Sequence, residues 1–395
     1  MNGERHETVV IGAGQAGLAV GQQLARRGRE CVILDGSVRI GDNWRSHWDS
    51  LRLYSPARYD GLPGMRFPAP GWSFPGKDQV ADYLEAYAER FDLPVRTGVR
   101  VTRLSPADTG DTTGAGSTGG TGGTGGTDGA GGWVVETDRG RLLAENAVVA
   151  TGTFGRGPYV PPFAPQLDPR ILQLHSCEYR NEGRLRDGPV LVVGASHSGA
   201  DVAYEVAGRH RTVLCGRETG QIPLTLEARS TRLAFPVLWQ IADRVLTTGT
   251  PFGRRMREEV RTHGGPLLRV KAADLARVGV ERVPERMTGV RDGMPLLDGG
   301  RVVEVANVVW CTGFRQDFDW IDAPVTGPDG WPREHRGVVG DAPGLYFCGL
   351  AFQRAFSSML IGGAGKDAAV VAKHIAARER RLHRADRREH VLTAA

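Results

Sequence analysis

The chain has 395 residues, 40% hydrophobic and 24% charged, with a formal net charge of +5. That length exceeds what a single hydrophobic core usually serves, so two globular units are expected. Six arginines against three acids between Arg378 and His390 concentrate the positive charge in a C-terminal basic tail, 381–395; no aromatics interleave with them, which argues against a nucleic-acid partner.

The chain opens on the polar segment MNGERHE and runs directly into a strand-like TVVI, leaving no apolar signal segment. No apolar run of membrane-spanning length follows anywhere, so no stable membrane insertion and a cytoplasmic location are expected. The five cysteines (Cys31, Cys177, Cys215, Cys311, Cys348) are far apart and form no CxxC, which predicts neither a metal site nor a dithiol redox pair.

Thr8 to Val20, TVVIGAGQAGLAV, joins a buried-strand pattern to a glycine-rich turn and a helical pattern. In Gly12-Ala13-Gly14-Gln15-Ala16-Gly17 the first glycine permits a tight turn off the strand. Gly14 lets backbone approach a pyrophosphate, and Gly17 lets helix pack on strand. Gln15 and Ala16 open the helix, whose N–H groups and partial positive charge face the phosphates. A second strand, Cys31 to Leu34, ends at Asp35, an acid placed to accept ribose hydroxyls.

Asp108 to Gly132 is almost wholly Gly, Thr, Ser, Asp and Ala and is expected to be a disordered tip between strand-like Val99–Leu104 and Trp133–Thr137. The first device then repeats at Val190 to Ala203, VLVVGASHSGADVA. Gly194, Ser198 and Gly199 form the cradle, with Ser196 in place of the middle glycine and its hydroxyl free to donate to phosphate. The strand Thr212 to Leu214 leads to Arg217 where the first copy has an acid; an arginine can clamp a 2′-phosphate that an acid would repel, although a surface charge is the plain alternative. Leu224 to Gly265 carries the apolar block LAFPVLWQIADRVL, interrupted by Pro236, and reads as a helical insertion that covers a core, covers substrate or touches a membrane.

Two different dinucleotide sites in one chain point to a pair that exchange electrons, FAD with NADPH. The expected fold is α/β, with two nested Rossmann-type dinucleotide-binding domains. At this point the chain resembles the class B flavin-containing monooxygenases, including their bacterial members and the plant YUCCA branch. GAGQAG resembles their FAD motif, and Gly41-Asp42-Asn43-Trp44-Arg45 resembles their GxxWR segment. Ala150-Thr151-Gly152 and Cys311-Thr312-Gly313 resemble the two crossings between their domains, and GLYFCGLAFQRAFSSMLIGGAGKDA, with Gly349, resembles the closing flavin segment. In their FxGxxxHxxxY string His175 and Tyr179 are present, while Pro169 and Ile171 replace Phe and Gly.

The resemblance implies an FAD-binding domain in two parts, 1–157 and 311–380, around an inserted NADPH-binding domain, 158–310, that carries the helical insertion 224–265. It adds Trp44, Arg45, Thr151, Gly152, Gly349, Thr312 and Gly313 to the candidate cofactor contacts. The closing helix, starting near Leu360, would aim its N-terminus at the flavin, with Gly362, Gly363 and Gly365 either allowing close approach or serving helix packing. The activity implied is oxygenation of a small organic substrate, a nitrogen or sulfur nucleophile or a 2-oxo acid, by NADPH, dioxygen and a flavin peroxide. A flavoprotein reductase with a non-dithiol acceptor and a non-catalytic redox sensor are the rival readings. No catalytic side chain is singled out.

Overall fold

The computed structural model describes residues 3–107, 132–153 and 157–393, with 383–393 described by backbone alone. The Gly- and Thr-rich stretch read as disordered lies, except for Gly132, outside these residues.

The first sheet has seven strands. β1 (Glu4–Ile11) lies between β2 (Val32–Leu34) and the long β6 (Gly140–Val149), and β3 (Val95–Arg96) sits outside β2. β4 (Val101–Pro106) and β5 (Trp133–Thr137) pair antiparallel, from Val101 opposite Thr137 to Pro106 opposite Trp133. The expected hairpin is therefore present. β6 changes partner along one edge: its first half pairs antiparallel with β5, and Ala147 to Val149 pair in parallel with a strand from near the C-terminus, Leu345–Phe347.

The second sheet is built wholly from chain between β6 and that late strand. It contains β7 (Leu172–His175), β8 (Val190–Val193), β9 (Thr212–Cys215), β10 (Glu281–Val283) and β13 (Asn307–Trp310), all parallel, in the order β10-β9-β8-β13-β7. A small hairpin, β11 (Met287–Arg291) with β12 (Met294–Leu297), covers one face. With the late strand as β14 (Leu345–Phe347), the two sheets share one plan, β3-β2-β1-β6-β14 matching β10-β9-β8-β13-β7. The nested α/β fold of two Rossmann-type units is thus present.

The central strands read VVI, VIL, VLVV and TVLC because helices or loops cover both faces of each sheet, which favours continuous runs of β-branched residues. On the first sheet, α1 (Gln15–Ala25), α3 (Lys77–Arg90) and the long C-terminal helix Ile361–Thr393 share one core. Phe318, Ile321 and Trp331 close the other face. A four-residue helix, α2 (Asp42–Arg45), precedes α3. On the second sheet α4 (His197–Val206) and α7 (Ala272–Arg277) cover one face.

The helical insertion consists of α5 (Arg229–Gln240), a single π turn (Ile241–Val245) and α6 (Pro251–Thr262). Pro236, expected to interrupt the apolar block, lies inside α5. It sits on the exposed side, where water can satisfy the carbonyl that proline leaves without a donor.

The insertion belongs in sequence to the second unit but docks on the first. Asp243, 4% exposed, accepts from Arg354 Nη2 at 2.7 Å and Ser357 Oγ at 2.8 Å and pairs with Lys366. Arg354 Nε also bonds Asp367 Oδ1 at 3.0 Å. Arg257, at 2.9 Å, and Arg261 pair with buried Glu334, and Arg261 lies over Trp331. Burial pushes the Asp243 carboxyl up, but its bonds from Lys366, Arg354 and Ser357 outweigh this and hold it at about 2. Asp243→Ala removes one of the two carboxylates that hold the Arg354 guanidinium and leaves Ser357 without its acceptor, so a urea melt is expected to show a loss of about 3 kcal/mol; a loss below roughly 1 kcal/mol would show the dock to be peripheral.

Candidate functional site

Each sheet ends in a glycine turn pressed against the neighbouring strand's exit. Gly12 has φ +109°, and a Cβ there would lie 2.6 Å from the Ala150 carbonyl oxygen. Gly194 has φ +113°, and its Cβ would lie 2.3 Å from the Cys311 carbonyl oxygen. The third glycines repeat the pattern, since a Cβ on Gly17 or Gly199 would fall 1.8 or 1.7 Å from the carbonyl oxygen of Gly12 or Gly194. The middle position differs. Gly14 has an ordinary φ of −77°, and a Cβ there would meet nothing among the described residues nearer than Asn43 Nδ2 at 3.9 Å, so its open side is available to a phosphate.

Among the described residues no side chain caps α1, and no acid lies in its first turn, which leaves its N–H groups and partial positive charge unopposed there. Asp35, at the end of β2, reaches back to this turn: Oδ2 accepts the Ala13 N–H at 2.6 Å and Oδ1 the Ser37 N–H at 2.8 Å. The donor set therefore fits a dinucleotide, with open helix N–H groups for pyrophosphate and a carboxylate at ribose position.

Thr151 and Gly152 follow β6, and Gly349 follows β14, where a Cβ would come within 2.6 Å of the Ala16 Cβ. These residues converge with Gln15, Ala16 and Gly17 at the carboxyl ends of three strands. Thr153, not singled out from sequence, ties the rim: its Oγ1 accepts the Ala351 N–H at 2.6 Å. Trp44 Nε1 donates to Gln15 Oε1 at 3.4 Å, bringing the GxxWR segment to the cradle. The Arg45 guanidinium is engaged by Asp82 and Glu85, both at 2.9 Å, and by the Ile40 carbonyl at 2.8 Å, so it braces α2 against α3.

At the second cradle Ser196 Oγ donates to the Gly265 carbonyl at 2.8 Å, and His197 Nε2 bonds the Pro266 carbonyl. The hydroxyl expected to donate to phosphate is thus directed at the return segment of the helical insertion, which passes over the start of α4. Ser198 is half-buried in the first turn of α4. Gly216, with φ +135°, packs near the Ala195 nitrogen and delivers exposed Arg217 to the cradle's edge. Thr312 donates to the Tyr159 carbonyl, while the Gly313 carbonyl accepts from Tyr159 N at 2.9 Å and faces His175 Nε2 at 3.1 Å.

His175 is 2% exposed, with Nδ1 3.1 Å from Cys177 Sγ, and Tyr179 donates to Glu205 Oε1 at 2.8 Å. Both are satisfied core residues. The closing helix, α8 (Ile361–Thr393), starts where expected and continues into the basic tail, but its glycines serve packing. Cβ atoms on Gly362 and Gly363 would fall 1.8 Å from the carbonyl oxygens of Tyr59 and Ser357, and one on Gly365 would fall 2.4 Å from Pro63 Cγ.

Two further groups lacked a sequence signal. Tyr54 bridges the units, donating to Asp201 Oδ2 at 2.7 Å with its ring 5.0 Å from that of His197. Burial, partly offset by this bond, lifts Asp201 to about 6. Asp60 is fully buried; Oδ1 accepts from Ser55 Oγ at 2.6 Å, and Oδ2 meets no donor among the described residues. Burial raises Asp60 to about 7 against that one bond.

Nested sheets of one strand plan, each with a dinucleotide cradle at its carboxyl edge, define an FAD-dependent pyridine-nucleotide oxidoreductase. Residues 6–349 match the pyridine nucleotide-disulphide oxidoreductase family, and the chain belongs to it. It is 33% identical to a CzcO-like oxidoreductase of Geobacillus kaustophilus over 92% of this chain and 96% of that one. It is 28% identical to the probable indole-3-pyruvate monooxygenase YUCCA3 of Arabidopsis thaliana, over 94% and 86%. Among solved structures, a flavin-containing monooxygenase from Stenotrophomonas maltophilia superposes with a TM-score of 0.68 at 25% identity, covering 95% of this chain and 99% of that one. The resemblance to flavin monooxygenases read from the motifs is thereby borne out.

Gly14→Ala meets open space and ordinary backbone, so the variant is expected to fold with an unchanged melt yet purify with little flavin absorbance. Gly12→Ala, forced against a carbonyl at positive φ, is expected to lose flavin and roughly 2 kcal/mol of stability together. Full flavin content in Gly14→Ala would place the phosphates elsewhere. Asp60 binds its proton more tightly folded than unfolded, so its contribution falls as pH rises from about 4 to about 7 and then levels off. Asp60→Asn removes that loss, so its Tm relative to wild type is expected to rise between about pH 5 and pH 8; a falling difference would show an ionised, stabilised carboxylate.

Proposed function

We propose that the protein is an NADPH-dependent FAD monooxygenase acting on a small organic substrate, with FAD at the Gly12 cradle and NADPH at the Gly194 cradle. The observation that carries the assignment of the two nucleotides is the contrast between Asp35, turned into the first cradle, and Arg217, exposed at the edge of the second. A carboxylate accepts two ribose hydroxyls, and a guanidinium clamps a 2′-phosphate.

FAD, when bound, accepts hydride from NADPH and supplies the oxygen chemistry. The chain's own tasks are to bind, orient and exclude water. Gly14, Gln15, Ala16 and the uncapped start of α1 bind pyrophosphate, Asp35 holds the ribose, and Thr151, Gly152 and Gly349 form the rim. Gly194, Ser198, Gly199, Gly313 and the backbone of Ser196 and Thr312 form the second site, the hydroxyls of these last two being held by the Gly265 and Tyr159 carbonyls. Trp44 positions the first cradle through Gln15, and Arg45 fixes the segment that carries Trp44.

Disulphide chemistry, which the family's name includes, lacks support from the cysteines. All five are unpaired, and burial lifts Cys31 to about 11 and Cys215 and Cys311 to about 12, leaving no ready thiolate among these three. For the substrate, an open cleft of about 1040 Å³ has aromatic walls from Tyr59, Trp72 and Trp239 and cations from Arg58 and Arg66. The Arg58 guanidinium lies 4.9 Å from the Trp72 ring centre. That lining supports a planar acid, and the YUCCA relatives named for indole-3-pyruvate favour a 2-oxo acid over a neutral amine.

Arg217→Ala is expected to raise the KM for NADPH about 10-fold or more while leaving that for NADH within about 2-fold; equal losses would remove Arg217 from the 2′-phosphate. With the holoprotein in air, NADPH oxidation is expected to match oxygenated product for a 2-oxo acid. Quantitative hydrogen peroxide with every candidate, or fast NADPH-driven quinone reduction under argon, would assign a reductase instead.

A further inference from the structure

The outer face of α5 is a second apolar surface, distinct from the face that packs. Phe235 and Trp239 point inward, each about 5 Å from the Tyr59 ring (4.9 and 5.0 Å), and Asp243 continues that row into its buried ion network. Leu233, Val237, Ile241 and Val245 have the same spacing of four but are 83%, 61%, 38% and 49% exposed. Leu238 is also exposed on α5, and Phe252 at the start of α6 is 59% exposed within the same insertion. Six of the ten large hydrophobic side chains standing exposed among the described residues therefore lie within one insertion, a concentration that scattered surface apolars do not produce.

The exposed charges between residues 228 and 257 have one sign. Arg229, Arg232, Arg244, Arg254 and Arg255 are exposed, while the sole acid between residues 228 and 257, Asp243, is buried and neutralised by Arg354 and Lys366. Beyond it, Glu227 is paired with Arg269, and Glu258 and Glu259 lie toward the far end of α6. A second copy placed face to face would oppose arginine to arginine. An anionic surface with an apolar interior complements both features at once.

We propose that this face docks the protein peripherally on anionic lipid bilayers, α5 lying in the plane of the interface with Leu233, Val237, Ile241, Val245 and Phe252 among the acyl chains and the arginines at phosphate level. No helix among the described residues is long and apolar enough to cross a membrane, so the attachment is reversible and salt-sensitive. The inward row and the Asp243 network hold the helix against the body, so the outer row stays presented without lipid.

The test is cosedimentation of the full-length, flavin-loaded protein with vesicles of phosphatidylcholine and phosphatidylglycerol, mixed roughly two to one, and with phosphatidylcholine alone. Binding to the anionic vesicles, at least about 10-fold weaker to neutral ones and weakened by added salt, is expected. Leu233→Asp with Val237→Asp, and separately Arg232→Glu with Arg244→Glu, should each weaken it at least about 10-fold with flavin content and melting unchanged. Val38→Asp, at another highly exposed site, should have no effect. Absence of binding to anionic vesicles at low salt, or wild-type binding by the Leu233/Val237 variant, would overturn the proposal. So would a dimer in free solution that the same variant dissolves, which would assign the face to a second copy.

Discussion

Both halves of this protein rest on one contact, the closure of a glycine turn onto the carbonyl oxygen of the next strand's exit. Gly12 against Ala150 and Gly194 against Cys311 leave no room for a Cβ, and Gly17 and Gly199 repeat the closure one turn later. Sheet, turn and helix are thereby locked at the separation that puts helix N–H groups at the sheet's carboxyl edge. The edge residues follow from that geometry, because Thr151, Gly349 and Thr312 leave strands that must end where the turn begins.

The two units do not rely on this contact to stay together. Their coupling joins apolar contacts, such as Phe235 and Trp239 on Tyr59, to buried polar groups: Asp243, Arg354 and Asp367 at one place, Arg257, Arg261 and Glu334 at another, Tyr54 with Asp201 at a third. The polar groups stabilise little beyond an apolar packing of equal size, but they penalise misplacement, since each half left alone is an unpaired buried charge or polar group. The helical insertion therefore spans both units in a defined pose, its return segment over the second cradle and its buried row against the first unit.

How much was legible beforehand depended on how local the determinant was. The two strand, glycine-turn and helix units and the hairpin of β4 and β5 were legible, because such units are specified within about thirty residues by pattern and steric need. The glycines of α8 were ambiguous, since helix packing and cofactor approach both demand a missing Cβ. The block around Pro236 was legible as helical, but whether the helix runs through the proline was not, because it depends on whether the freed carbonyl reaches water, and exposure is a tertiary property.

The sequence by itself determined two strand, glycine-turn and helix units nested in one α/β chain, one followed by Asp35 and the other by Arg217, because those features are short-range. Only the tertiary structure decided that His175 is a satisfied core residue, that Asp60 is buried with one oxygen unpartnered among the described residues, and that Asp243 and Arg354 meet across more than a hundred residues. It also decided which of two equally spaced apolar rows on α5 faces inward. Spacing along a helix fixes which residues share a side, while only packing fixes which side is covered.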